Sequence, residues 1–173
     1  MRIFALVVCL VWMPLAVAGN AGGGAKDTGA KPDWREVVAA RGGFRMRFPA
    51  PPISMNPGQG ASEIYMLGVK LRDGTFYFAM FAPKGSPKAE ESYTNALADP
   101  SAKVSVFHGM KSVDVRRVLR GSDGDGVSLS RQFQGPRGTY ALMVMAPIAS
   151  EAVAAGRKDT FFDSFQLESE VRN

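Results

Sequence analysis

The chain has 173 residues, of which 46% are hydrophobic, 10% aromatic and 21% charged, and its formal net charge is +5. This is the composition of an ordinary globular protein. It excludes a collagen-like repeat, a disulfide-rich mini-protein and a wholly disordered chain, because the sequence has one cysteine and is rich in aliphatic and aromatic residues.

The first 18 residues have the pattern of a secretory signal peptide. Arg2 precedes an apolar run over residues 3–17, and small side chains stand at Ala16 and Ala18. A transmembrane anchor is the alternative, but this run contains Pro14 and is shorter than the ~20 apolar residues that cross a bilayer. The pattern predicts cleavage after Ala18, a periplasmic or extracellular protein, and no transmembrane span after cleavage.

The mature chain would contain no cysteine, since Cys9 lies within the signal peptide, and so no disulfide or thiol chemistry is expected. Residues 19–31 are rich in glycine and alanine and have no large apolar side chain, which predicts a flexible leader. Residues 32–173 contain no second linker and no internal repeat. They are therefore predicted to form a single domain.

The domain is predicted to begin with a short helix and a strand. Asp33 and Glu36 have the spacing of a capping box and Gly42 follows the last apolar residue, which predicts a helix over residues 33–41. From 44 to 48, large apolar residues alternate with arginine, the period-2 pattern of a strand with one buried face.

A hairpin is predicted next. The apolar runs 62–71 and 75–82 flank the dipeptide Asp73-Gly74, which suits the positive φ angles of a tight turn. Because both faces of these runs are largely apolar, the sheet is expected to be covered on both sides.

Two further helices are predicted, one before and one after a three-stranded meander in the sequence. Ser86-Pro87 precedes an apolar stripe at helical spacing, which predicts a helix over 87–98, and a further turn or helix is expected from there toward Phe107. A last helix is predicted over 149–164, with a break at Gly156. The meander consists of antiparallel strands over 112–120, 127–134 and 139–146.

This order of elements favours the α+β class, with helices packed on an antiparallel sheet. Because several strands are apolar on both faces, we predict a three-layer α/β/α sandwich with about six strands in the central sheet.

Several segments of the sequence resemble those of the PsbP-like family. They are the opening GGFRMRFPAPP, the mid-chain hairpin and helix, the strand YALMVMAP and the closing FFDSFQL, which span about residues 42–167. The resemblance implies an antiparallel sheet between helices, an architecture that the wider superfamily shares with a Ran-binding nuclear-import factor. It also implies an extracytoplasmic accessory protein attached to a membrane complex. The shared segments are structural rather than catalytic motifs, so no functional residue is carried over from the family.

Few residues have the pattern of a catalytic or metal site. His108 is the single histidine and stands in a loop-like context, which favours an exposed loop residue over a general base or a metal ligand. Asp123 and Asp125 would supply two carboxylates to Ca²⁺, but the later ligand positions are not acidic, and a Gly/Asp-rich turn explains the same residues. The methionines on strands are interpreted as core residues rather than copper ligands. No metal or other cofactor is predicted.

Arginines cluster on two of the predicted strands. If these strands are neighbours, the arginines form a basic surface that would attract an envelope protein complex or another anionic surface. A solvated face that maintains solubility is the alternative. Nucleic acid is disfavoured as a partner, because the predicted compartment is extracytoplasmic and no aromatic residues serve as stacking platforms between the arginines. The candidate interaction surface consists of Arg41, Arg45, Arg47, Arg116, Arg117 and Arg120.

Arg131 is a separate case, because it shares its predicted strand face with apolar residues. Its guanidinium is therefore expected among buried side chains, where it needs a carboxylate or carbonyl partner. Arg131 is a candidate ligand anchor, and a structural salt bridge or a frayed sheet edge is the alternative.

Two function hypotheses remain. The preferred one is an exported, non-enzymatic accessory or binding protein of the cell envelope, based on the signal peptide, the resemblance, the basic charge and the scarcity of catalytic residues. The other is a small-ligand-binding protein or hydrolase with a pocket at one end of the sheet. In that case Arg131 would anchor the ligand, and His108 or the pair Asp123 and Asp125 would do the chemistry.

Overall fold

The structure is a computed structural model that describes residues 32–55, 64–122 and 124–168. The predicted signal peptide and leader lie outside these residues. Within the described ranges, no helix is long and apolar enough to cross a membrane.

The described residues form ten strands and two α-helices. In chain order they are β1 (Arg35–Ala39), β2 (Phe44–Phe48), β3 (Ile53–Met55), β4 (Tyr65–Lys70), β5 (Phe76–Pro83), α1 (Pro87–Leu97), β6 (Lys103–Phe107), β7 (Met110–Leu119), β8 (Gly126–Gln134), β9 (Gly138–Pro147), α2 (Glu151–Phe162) and β10 (Gln166–Leu167).

The strands form two antiparallel sheets. The larger sheet has seven strands in the order β3-β4-β5-β9-β8-β7-β6, and the smaller sheet has three in the order β1-β2-β10. The predicted hairpin is confirmed as β4 and β5, which pair from Tyr65↔Phe81 to Lys70↔Phe76. The predicted meander is confirmed as β7, β8 and β9.

Successive side chains of a strand point to opposite faces of the seven-stranded sheet. Different elements cover the two faces. On one face, Tyr93 and Ala96 of α1 pack against Val113 and Val115 of β7. On the other face, α2 and the three-stranded sheet enclose the main core. The largest fully buried side chains are Tyr77, Tyr140, Phe44, Phe48, Phe133, Phe161, Phe162, Phe165, Met46, Leu142, Val113 and Val127.

The α+β class and the layered sandwich predicted from the sequence are confirmed. The central sheet has seven strands rather than about six, and the third layer contains a small sheet beside its helix. The predicted buried face of β2 is also confirmed, because Phe44, Met46 and Phe48 are fully buried.

The prediction of a helix over 33–41 is wrong, because this segment is β1 followed by a turn. β1 pairs with β2 from Arg35↔Phe48 to Ala39↔Phe44. The Asp33 carboxylate does not cap a helix but accepts two hydrogen bonds from the Arg35 guanidinium, at 2.7 and 2.9 Å. The ladder to β2 satisfies the backbone groups that a helix would have paired within itself.

Of the turn or helix expected after Asp99, the structure has the turn, and no helix continues toward Phe107. Asp99 accepts hydrogen bonds from the backbone N–H and the hydroxyl of Ser101, at 2.9 and 2.7 Å, which forms a single Asx turn. The chain then enters β6, where Val104 and Val106 favour a strand. The closing helix is present as α2, but it continues through Gly156 without the expected break.

Candidate functional site

Two of the candidate arginines stand side by side on the outer face of the three-stranded sheet. Arg45 and Arg47 alternate with the buried residues of β2 and therefore point away from the core. Arg45 Nε donates to Gln166 Oε1 at 3.0 Å, and Arg45 Nη1 lies 3.6 Å from Glu36 Oε1. Arg47 is exposed, and Val38, in register with Arg45, is 62% exposed. We call this outward surface the arginine face. It consists of Glu36, Val38, Arg45, Arg47 and Gln166.

The backbone of Arg47 is bonded to the segment between α2 and β10. Its backbone N–H donates to the Ser164 hydroxyl at 2.9 Å, and that hydroxyl donates to the Phe161 carbonyl at 2.7 Å. The turn between α2 and β10 is thus bonded to β2 at Arg47. Arg41 lies in the turn before β2, with its guanidinium carbon 6.0 Å from the centre of the Tyr65 ring.

The arginines of β7 do not share one face. Arg116 points to the side of α2, where it makes two hydrogen bonds to the Glu151 carboxylate, at 2.6 and 2.8 Å. Arg117 points to the side of α1, where its Nε donates to Asp99 Oδ2 at 2.8 Å. Arg120 follows the end of β7 and is exposed. The structure therefore brings Arg45 and Arg47 together, and separates Arg116 from Arg117.

The acids that pair with Arg116 and Arg117 have lowered pKa values. The hydrogen bonds from Arg116 are the largest influence on Glu151 and lower the pKa of its carboxyl group. For Asp99, burial acts to raise the pKa, but hydrogen bonds from Ser101 and Arg117 outweigh it and leave the pKa below its ordinary value. Both acids thus remain ionised partners of their arginines at neutral pH.

Arg131 lies between β8 and α2, as the alternation of β8 predicts, and its side chain is 14% exposed. Its Nε and Nη2 donate to the two carboxylate oxygens of Asp114, at 2.8 and 2.9 Å, and Nη1 donates to Asp163 at 3.3 Å. The guanidinium carbon also lies 4.7 Å from the Phe107 ring centre and 5.3 Å from that of Phe162. These contacts are those of a structural ion pair that joins β7, β8 and the end of α2.

His108 occupies the two-residue turn between β6 and β7. It is exposed and has a φ of 50°, and Gly109 beside it has a φ of 72°. The prediction of an exposed loop histidine is confirmed. Of the two aspartates considered for Ca²⁺, Asp125 has its backbone carbonyl bonded to the Ile148 N–H at 3.0 Å, and Asp123 lies outside the described residues. The described residues contain no group of three or more His, Cys, Asp or Glu side chains that could hold a metal ion.

A partly exposed apolar band on the α1 side of the seven-stranded sheet was not singled out from the sequence. α1 packs over β7, β8 and β9, while the band lies on β4, β5 and β9. Its partly exposed members are Met66, Phe76, Met80, Met143 and Met145. The two-sided apolar pattern of the hairpin was the available signal, but it does not show how far α1 extends across the sheet.

Comparisons with known proteins bear on the fold. No protein-family model and no curated protein matches the chain. The solution structure of cyanobacterial PsbP (CyanoP) from Synechocystis sp. PCC 6803 is similar, with a TM-score of 0.55 and 11% sequence identity over 87% of this chain and 98% of that chain. The fold is PsbP-like.

A second solved structure is similar as well. A crystal structure from Bacteroides thetaiotaomicron VPI-5482 has a TM-score of 0.53 and 8% sequence identity, over 76% of this chain. The match spans 47% of that chain, about half of its length. The two likenesses confirm the fold that the sequence resemblance implied, and function has to be argued from the surfaces of this chain.

Proposed function

We propose that this protein is an exported accessory protein that binds an acidic surface of an envelope protein complex through its arginine face. The observation that carries the proposal is the adjacent pair Arg45 and Arg47, with the exposed Val38 beside them. Arginine next to exposed apolar surface is a composition enriched in protein interfaces. The PsbP-like fold supports an accessory role through the family that the sequence resembles.

The charge arrangement favours the β2 arginines over those of β7 as the contact residues. Arg45 lies 3.6 Å from the half-exposed Glu36, and a surface pair of this kind is worth at most about 1 kcal/mol. Arg45 can therefore exchange Glu36 for an acid of a partner at little cost. Arg116 is instead held by two short hydrogen bonds to Glu151. The net charge of +5 falls to +4 when Arg2 is removed with the signal peptide, and this charge would add long-range attraction to an acidic partner.

The test is charge reversal with a matched control. Arg45→Glu with Arg47→Glu changes the net charge by the same amount as Lys84→Glu with Lys88→Glu, and both lysines are exposed in the region where α1 begins. The full chain, tagged and exported in its native cells, is crosslinked, and the crosslinked proteins are quantified. We expect one dominant envelope complex that is lost from the arginine variant and kept by the lysine variant. Capture should also weaken with rising salt.

Two outcomes would contradict this proposal. Equal loss from both variants would show that net charge, and not the arginine face, attracts the partner. Unchanged capture by the arginine variant would show that the partner binds elsewhere. Circular dichroism of each variant checks that the fold is kept.

Export is tested by cell fractionation. The full chain is expected in the extracytoplasmic fraction with Gly19 as its first residue, and Leu10→Arg, which places a charge in the apolar run, should block processing. An unprocessed wild-type chain in the cytoplasm would overturn this part of the proposal.

The alternative of a small-ligand-binding protein or hydrolase has less support. The guanidinium of its candidate anchor, Arg131, is already engaged by Asp114 and Asp163 and lies over two phenylalanine rings.

A further inference from the structure

The β6 edge of the seven-stranded sheet is exposed to solvent. Among the described strands, β6 is the last in the order of the sheet and pairs with β7 alone. Four of its five residues are exposed, and Val104 and Val106 are 56% and 76% exposed. An exposed edge strand without a proline or a bulge is a template for pairing with another strand. β3, at the other edge, has only three residues.

The backbone groups of the two valines point outward from this edge. The turn between β6 and β7 has two residues, both with positive φ, so the residues that flank it, Phe107 and Met110, form a hydrogen-bonded pair. Bonded and non-bonded pairs alternate along an antiparallel ladder. Ser105 is therefore bonded to β7, whereas Val104 and Val106 direct their N–H and C=O groups away from it.

The side chains of the two valines continue an apolar surface that α1 covers. Val104 is in register with Val113 of β7, which is fully buried against α1. Val106 stands two residues after Val104 and so lies on the same face of the sheet. The edge thus presents apolar side chains and unpaired backbone groups at the same two positions.

The sequence of β6 is complementary to a second copy of itself in antiparallel pairing. When Ser105 lies opposite Ser105 of the second copy, each Val104 lies opposite Val106 of the other copy. The outward backbone groups of the valines can then bond to one another, and four valines form one apolar row. The single charged residue of β6, Lys103, lies opposite Phe107, so that no like charges are opposed.

We propose that two copies of this protein join through β6 into a two-fold symmetric dimer with one continuous antiparallel sheet. The same residues then meet on both copies, which closes the assembly at two chains. One short strand from each copy gives a small interface, so the dimer should form reversibly and depend on concentration. The inference goes beyond the proposed function and is tested separately from it, because the arginine face is on the other sheet.

The first experiment is sedimentation velocity of the protein purified from its native cells, in reducing buffer, at concentrations up to about 1 mM. The mass should rise from one chain to two. Val104→Lys with Val106→Lys puts like charges opposite each other and should abolish the dimer. Val104→Glu with Val106→Lys puts unlike charges opposite each other and should keep it at low salt. The control is Val118→Lys with Val153→Lys, which changes two exposed valines elsewhere and should also keep it.

Several outcomes would overturn the proposal. They are a mass of one chain at every concentration, loss of the dimer from both β6 variants or from neither, and its loss from the control. A mass above two chains would instead indicate pairing of β6 with β3 of another copy, a contact that does not close. Circular dichroism checks that each variant is folded.

The second experiment tests the register with a disulfide, in a chain that carries Cys9→Ser. The two copies of Ser105 would form a non-hydrogen-bonded pair with Cα atoms ~4.5 Å apart, which a disulfide can span. Ser105→Cys should therefore give a covalent dimer on mild oxidation. Lys103→Cys is the control on the same strand, because its two copies would be offset by four residues, or ~13 Å. Equal crosslinking of both variants, or none from Ser105→Cys, would contradict the proposed pairing.

Discussion

At the scale of single residues, the ion pair of Arg131 is expected to contribute to stability. Its guanidinium is paired with Asp114, and both side chains are largely buried, at 14% and 26% exposed. Arg131→Met would leave the Asp114 carboxylate without its partner, and loss of one member of a largely buried pair is costly. We expect the free energy of unfolding to fall by about 2–3 kcal/mol in urea denaturation.

The matching control for Arg131 removes both charges. Asp114→Leu with Arg131→Met leaves no buried unpaired charge, since Asp163 is 67% exposed, so most of the lost stability should return. If Arg131→Met alone changed the free energy of unfolding by less than about 0.5 kcal/mol, the pair would be no stronger than a surface salt bridge.

At the scale of elements, α2 contains a residue that the helix does not need. Gly156 lies inside α2, is exposed, and an added Cβ would meet no atom within 4 Å. Alanine has the higher helix propensity and restricts the unfolded chain more, so Gly156→Ala should stabilise the protein by about 0.5–1 kcal/mol. Thermal unfolding measures this as a raised midpoint. A lowered midpoint would indicate that the glycine is needed for something other than the helix.

A second element-scale prediction concerns the contact between α2 and the β4–β5 turn. Asp73 accepts hydrogen bonds from Arg157 of α2 and from the Thr75 backbone, at 2.8 and 2.9 Å. Burial acts to raise the pKa of Asp73, but these hydrogen bonds outweigh it and lower the pKa below its ordinary value. A carboxyl with a lowered folded-state pKa stabilises the fold above its unfolded pKa of about 4, and this stability is lost as pH falls through the folded pKa.

The measurement is the free energy of unfolding of wild type and Asp73→Asn between pH 7 and pH 2. The variant should be less stable by about 0.5–1 kcal/mol at pH 7, since the pair is partly solvent-exposed, and the difference should shrink toward pH 2. A difference that did not change with pH would contradict the ionic role of Asp73.

The elements that could be predicted from the sequence are those whose signals are local. The alternation of β2, the Asp73-Gly74 turn and the Pro87 start of α1 each lie within a few residues of the element that they specify. β1 was missed because its strand state depends on pairing with β2. Its local capping-box pattern pointed to a helix.

For the candidate functional surfaces too, local features could be predicted and contacts between distant segments could not. The outward direction of Arg45 and Arg47 follows from the alternation of β2. The pairing of Arg116 with Glu151 joins residues 35 positions apart and could not be derived from either segment. The exposure of Met66 and Met80 depends on where α1 ends on the sheet, which is a property of packing and not of the strand pattern.

At the scale of the whole molecule, the two sides of the seven-stranded sheet are not equivalent. One side is enclosed by α2 and the three-stranded sheet, which carries the arginine face on its outside. The other side is covered by α1 over β7, β8 and β9, and the apolar band on β4, β5 and β9 is partly exposed there. A protein layered in this way carries the arginine face and the partly exposed apolar band on different sheets.

The last prediction is that the domain folds without the residues before it. The chain from Lys31 onward forms one compact unit, and the members of its main core cluster run from Ala39 to Leu167. A chain that begins at Lys31 keeps every one of these side chains, so the apolar area that stabilises the fold is unchanged. Its near-ultraviolet circular dichroism and thermal midpoint should match those of the chain that begins at Gly19. A lower midpoint would show that residues 19–30 contribute to the folded domain, and would contradict the assignment of this segment as a leader.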